Sequence, residues 1–508
     1  ESGERTMITH NASVVLNAAN VSPDGEALVW YDLKKKQYQF WNGSKIRAIS
    51  KGVKHPLWEE ENDVPDDPNP HGFAGWLADN TACLIYDRFD LWKLDTSNSK
   101  PPIRLTDKGR ENKVRYRLVR LQSDEKPWQV GQPLAFRGFR ESDKKEQLIQ
   151  TNWNGSSLTT QRLTAFIPNI IASIQKAKQA DRWIYTLENF QQSPDLYTQA
   201  SNSNSVKLSN LNSQQQEYNW GTAELYRWTA LDGKPATGVV YKPENFDPKK
   251  KYPLILYFYE THTDALNQYI PPTPTGSRLN ISFFVSRGYI VCSPDIHYTT
   301  GQPAQSAYNY VVSAAKSLAA KPWIDGKNMG IQGQSWGGIQ VAQLVTMTNI
   351  FKAAWSGAPV ANMTSAYGGI RWESGLNRQF QYEKAQSRIG ATLWERPDLY
   401  IKNSPLFHVP KIFTPMVIMA NDADGAVPWY QGIELFTAMR RLNKPSWMLN
   451  YNGEAHNLRE RKNQKDISIR EQQFFDWLLK GDKPAKWLTE GVPAIQKGKE
   501  WGLELVDE

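Results

Sequence analysis

The chain has 508 residues, of which 40% are hydrophobic and 22% charged, a globular composition that excludes a wholly disordered or collagen-like chain and gives length for two or three domains. The longest apolar runs, such as Leu254 to Tyr259, fall well short of the ~20 residues a bilayer-spanning helix needs, so no membrane span is expected. The formal charge is +8, but Lys and Arg are spread among 52 acidic residues instead of forming a basic stripe, which argues against a nucleic-acid partner.

From residue 1 to about 215, short strands alternate with turns. VSPDGEALVWYD (21–32) is a turn followed by an alternating strand, with Ala27, Val29 and Tyr31 on one side. Similar units recur at WLADNTACLIYD (76–87) and around DRWIYTLE (181–188), and LWKLD (91–95) and DLYTQA (195–200) follow in the same phase. A period near ~50 residues with several short strands per unit predicts a β-propeller. Four units fill residues 1–215. Because a closed ring of four blades is uncommon, they are read as part of a larger, here incomplete, propeller. The recurring aromatics are assigned to packing between blades.

The polar stretch SNSNSVKLSNLNSQQQ (201–216) reads as a linker. Beyond it, residues 216–508 alternate strands with helices. Strands are expected at YPLILYFY (252–259), GYIVCSPD (288–295), NMGIQG (328–333), AAWSG (353–357), PMVIMA (415–420) and SWMLNYN (446–452). Helices are expected near 277–287, over 305–321, from Gly337, over 429–442 and over 466–480. Apolar strands between helices predict a mostly parallel sheet with helices on both faces. Cys83 and Cys292 form no CxxC pair and no metal spacing with any histidine, so they read as buried thiols, and no disulfide framework, metal or other cofactor is expected.

The sharpest motif is GQSWGG (333–338), which places Gly333-x-Ser335-x-Gly337 between a strand and a helix. The bare triplet recurs by chance. In this context it is the nucleophile elbow of an α/β-hydrolase, whose glycines admit a turn that a Cβ would block. A serine hydroxyl needs a positioned base, and in this fold the acid and then the histidine follow on later loops. NDADGAVP (421–428) offers Asp422 and Asp424, and GEAHNL (453–458) offers His456. His408 precedes the acid-bearing strand and breaks the order.

GQSWGG, NDADGAVP and YNGEAH, in this order and spacing, resemble the catalytic domain of the prolyl oligopeptidase family of serine peptidases, nearest in pattern to its dipeptidyl peptidase IV and acylaminoacyl-peptidase branches. The likeness covers about residues 220–485, and a propeller before it matches the family's domain order. The resemblance implies Asp424, three residues before Val427, as the acid. It casts Ser335 as nucleophile, His456 as general base and Asp424 as the group that holds the imidazole. It also implies two oxyanion donors, the Trp336 backbone N–H and the hydroxyl of Tyr259 in LYFYETH. Relatives usually continue with Gly-Gly or Gly-Pro after that tyrosine, where this chain has Glu260 and Thr261.

For substrate binding, the Glu59-Glu60-Glu61 run resembles the glutamate pair that dipeptidyl peptidase IV relatives use to hold a free amine, with Glu59 and Glu60 as the candidates. A solvated acidic loop is the competing reading. The expected partners are short peptides, admitted through a propeller that excludes folded proteins. A homo-oligomer, or a missing N-terminal portion of the propeller, stays open as a further partner. Met363 and Ala366 stand where relatives carry proline-pocket aromatics, and Ala426 replaces an asparagine, so strict cleavage after proline is not expected. An esterase with the same triad and an inactive binding protein are the alternatives. The resemblance favours a periplasmic or extracellular location over a cytoplasmic one.

Overall fold

A computed structural model of the chain describes residues 19–121 and 127–507, together with residues 3, 5 and 7–9. The chain divides into two compact units. The first comprises described residues up to 62 together with 66–189 and 193–211. The second comprises 63–65, 190–192 and 212 onward.

Among the described residues, the first unit contains four four-stranded antiparallel sheets, spanning 20–48, 73–104, 114–162 and 170–207. Each is a meander whose strands pair in chain order. Their second strands begin at residues 28, 82, 133 and 183, which is the repeat visible in the sequence. Consecutive sheets share hydrophobic cores. Val29, Tyr31, Tyr38 and Phe40 pack with Trp76, Ile85 and Leu94, Leu84 and Leu91 with Phe136 and Ile149, and Ala135 and Leu148 with Ile171, Trp183 and Tyr185. The recurrent aromatics are thus packing residues between sheets, as their alternation with polar neighbours implies.

The second unit is built on an eight-stranded mixed sheet. Its strands are β1 (Gly221–Thr229), β2 (Pro235–Pro243), β3 (Tyr252–Tyr257), β4 (Ile290–Pro294), β5 (Ile324–Gln334), β6 (Ala353–Gly357), β7 (Met416–Met419) and β8 (Ser446–Leu449). They lie in the order β1-β2-β4-β3-β5-β6-β7-β8. β1 and β2 are antiparallel to their neighbours, whereas β4, β3 and β5 to β8 pair in parallel. Parallel strands are buried on both faces, and the residues alternate accordingly. Leu254, Leu256, Ile331 and Ile418 enter one core, and Ile255, Tyr257, Trp355, Val417 and Met419 enter the other.

Helix α1 (Trp336–Met347) fills the first core and is buried almost all round, as its near-continuous apolar sequence requires. α2 (Tyr430–Arg441) contributes Leu435 and Met439 to the same side. α3 (Arg461–Phe475) closes the other face with Phe474 and Phe475. The helix expected over 305–321 is a run from residue 303 to 319 with a wide π turn at Tyr308–Val312. The last helix starts earlier than expected and ends in a second π turn, Asp476–Lys480. The β1–β2 hairpin was not anticipated. Both cysteines are buried, and among the described residues no helix is long and apolar enough to cross a membrane.

Candidate active site

Ser335 sits on the turn between β5 and α1, with φ 60° and ψ −113°. A positive φ is strained for a residue with a Cβ, and the surroundings hold it there. Ser335 N donates to Gly357 O at 2.8 Å on the next strand, and Ile339 N donates to Ser335 O at 3.0 Å to start the helix. The flanking glycines are required by close approach. A Cβ on Gly333 would lie 2.5 Å from the backbone of Gly337, and one on Gly337 would lie 2.5 Å from Phe258 O at the end of the neighbouring β3.

Two loops at the same edge of the sheet bring the other groups. Asp424, in the loop after β7, is buried. Its Oδ1 accepts from Ala426 N at 2.8 Å and Val427 N at 2.7 Å, which leaves Oδ2 to accept from His456 Nδ1 at 2.7 Å. A carboxylate facing Nδ1 fixes the proton there and leaves Nε2 able to accept one. The loops are tied together by Asn421, whose Nδ2 donates to Ala455 O at 2.7 Å, and Gln334 Nε2 donates to His456 O at 2.9 Å from the elbow itself. Asp422 faces elsewhere, accepting from Asn452 Nδ2 and Gly453 N, each at 2.7 Å.

Ser335, Trp336, Tyr259 and His456 line one cavity of about 470 Å³, with Val360, Met363, Tyr382 and Val427 among its apolar and aromatic walls. Trp336 is the first residue of α1, where a backbone N–H has no intrahelical acceptor. Its indole donates to Tyr298 Oη at 3.0 Å.

Tyr259 is held by a network that sequence reasoning missed. Gln386 Nε2 donates to Tyr259 Oη at 3.1 Å and to Glu260 Oε1 at 2.8 Å. Arg388 Nη2 pairs with Glu260 Oε2 at 2.9 Å and with Asp63 Oδ1 at 2.7 Å, and its guanidinium lies 4.0 Å from the Tyr298 ring centroid. Asp63 Oδ2 accepts from Tyr298 N at 2.9 Å, and Tyr298 Oη donates to Tyr259 O at 3.1 Å. Glu260 is thus the anchor of this loop. No motif marks Gln386, Arg388 or Asp63 in the sequence, since each lies in an irregular segment with no periodic pattern.

Glu59 and Glu60 belong to the first unit. Burial holds the Glu59 carboxyl above its ordinary range. Glu60 pairs with Arg110 at 3.0 Å, and the adjoining Glu61 pairs with Arg88 at 2.7 Å.

The sequence model of the Prolyl oligopeptidase family matches residues 275–482. The uncharacterized peptidase YuxL of Bacillus subtilis is 25% identical over 48% of this chain and 36% of its own length. Dipeptidyl-peptidase 5 of Porphyromonas gingivalis is 26% identical over 50% of this chain and 37% of its own. The chain therefore spans little more than a third of the length of the curated relatives it matches. The crystal structure of Porphyromonas gingivalis dipeptidyl peptidase 4 has the same fold, with a TM-score of 0.63 at 15% identity over 89% of this chain and 62% of that one. The matched segment carries Ser335, Asp424 and His456, and through it the chain is similar to the prolyl oligopeptidase family of serine peptidases.

Proposed function

We propose that this chain hydrolyses short peptides by acyl transfer to Ser335, as a dipeptidyl-peptidase type enzyme, with residues 1–215 as blades of a propeller and 216–508 as the peptidase domain. The observation that carries the reading is the 2.7 Å contact between His456 Nδ1 and Asp424 Oδ2, beside a cavity that His456 shares with a serine on a strained strand–helix turn.

In this mechanism Ser335 Oγ attacks the scissile carbonyl while His456 Nε2 takes its proton. Asp424 keeps the imidazole in the required tautomer and stabilises the imidazolium. The oxyanion is met by the Trp336 backbone N–H and the Tyr259 hydroxyl, each donor contributing about 3–4 kcal/mol to the transition state. Collapse breaks the C–N bond, and His456 returns the proton to the leaving amine. Water, deprotonated by the same histidine, then hydrolyses the acyl-enzyme. Support for dipeptide release comes from the similarity to dipeptidyl-peptidase 5. In this reading Glu59 and Glu60 take the substrate's free amine, with Glu60 sharing its charge with Arg110.

Mass spectrometry of a mixed peptide library incubated with the protein tests this. Release of N-terminal dipeptides, absent with Ser335→Ala, is expected. Internal fragments alone would overturn the dipeptidyl reading, and turnover of oxygen esters without any peptide cleavage would overturn the peptidase reading.

A further inference from the structure

The cavity that holds Ser335 is lined by three arginines, Arg278, Arg371 and Arg378, and by no Asp or Glu. Arg371 has its counter-charge, Glu373 at 2.7 Å. The other two have no carboxylate partner among the described residues. Arg378 is 1% exposed, its Nη1 donates to the Ala426 carbonyl, and its Nε and Nη2 make no well-formed hydrogen bond. The groups that face it, the Ala426 carbonyl and the Tyr382 hydroxyl, are neutral. Arg278 is exposed on the cavity lining, which it shares with Tyr257 and His262.

A guanidinium does not lose its proton in a protein, so Arg378 keeps its charge in the core wall. Burying a charge without a counter-ion is costly, and the fold tolerates it here beside the nucleophile rather than in a structural ion pair. A carboxylate brought by a ligand supplies what the chain leaves out, through charge-assisted and potentially bidentate hydrogen bonds. The low-dielectric walls focus the field of the neighbouring arginines on the same space.

We propose that this cavity is a subsite for a carboxylate of the substrate, with Arg378 and Arg278 as its anion-binding residues, so that the protein selects acidic peptides. What is cleaved rests on the peptidase reading above, whereas carboxylate binding does not. Two sources share this chemistry, an Asp or Glu side chain near the scissile bond and the free C-terminus of a short peptide.

The test is calorimetric titration of the Ser335→Ala protein at low salt with two matched pairs. Ala-Glu-Ala-amide against Ala-Gln-Ala-amide reads a side-chain carboxylate, and Ala-Gln-Ala free acid against its amide reads a C-terminal one. In at least one pair the acid is expected to bind about tenfold tighter or more, and Arg378→Met or the exposed Arg278→Met should shrink that preference severalfold. Equal affinity within both pairs, no binding by any of the four peptides, or a preference that survives both substitutions would overturn the proposal. Should Arg378→Met fail to fold, Arg278→Met and the two peptide pairs still decide. Labelling of the wild-type protein by a fluorophosphonate reports separately on Ser335. An acid preference without labelling would sink the peptidase reading and leave the carboxylate subsite standing.

Discussion

Gln386 Nε2 donates to the Tyr259 hydroxyl at 3.1 Å. A phenol oxygen that accepts from a fixed amide has its own proton free to point into the cavity, which is what an oxyanion donor requires. Tyr259→Phe is expected to lower kcat by roughly 10²–10³-fold with little change in KM. Gln386→Ala, which frees the hydroxyl to rotate, is expected to lower kcat by about fivefold to tenfold. Steady-state kinetics on one dipeptidyl-amide substrate checks both. A change confined to KM would show that neither residue serves the transition state.

Arg388 is the hub behind that tyrosine, 4% exposed in its side chain and paired with Asp63 and Glu260. Its removal leaves two carboxylates facing each other without a cation. Because those carboxylates keep 23% and 30% of their exposure, the loss should fall below that of a fully buried pair, at about 2–3 kcal/mol for Arg388→Met. Urea unfolding followed by tryptophan fluorescence measures it, and an unchanged midpoint would contradict the structural weight placed on this pair.

The elbow depends on the absence of a side chain at Gly337, where a Cβ would meet the immobile Phe258 carbonyl. Gly337→Ala should cost about 1–3 kcal/mol of stability and shift Ser335 out of its strained turn. A lower melting temperature together with loss of fluorophosphonate labelling is expected. Labelling at the wild-type rate would show that the turn tolerates the methyl group.

Glu471, on α3 beneath the sheet, is buried, and burial pushes its carboxyl up to about 8. The folded state therefore holds a proton that the unfolded chain releases near its ordinary value of 4.5. This contribution to stability is complete below pH 4.5 and is lost as pH rises toward 8, with a slope of up to ~1.4 kcal/mol per pH unit. Glu471→Gln should flatten that slope, so that its stability relative to wild type improves between pH 5 and pH 8. Parallel pH profiles of the two proteins in urea unfolding would refute the assignment.

The parallel strands were legible because they are continuous apolar runs buried on both faces, as in YPLILY and MVIM. The repeat of the first unit was legible through the spacing of its turn-and-strand segments, although its third sheet had no motif of its own. The β1–β2 hairpin escaped because β1, GTAELYRWT, is an edge strand of half-exposed alternation that lacks the apolar run of its neighbours. The two π turns escaped because a helical period in the sequence does not report a local widening of the helix. At the site, Ser335 and His456 could be singled out because each follows a recognisable strand, whereas the strand before residues 421–428 left Asp422 and Asp424 open and the family resemblance chose between them. Gln386, Arg388, Asp63 and Arg378 could not, since what distinguishes them is the partner each meets, or lacks, after folding.

The most direct measurement is intact-mass and peptide-mapping analysis after exposure to a fluorophosphonate. A single adduct on Ser335 is expected, formed orders of magnitude more slowly in His456→Ala and also slowed in Asp424→Asn. An adduct on another residue, or labelling of Ser335 at the same rate without His456, would contradict a nucleophile activated by that histidine.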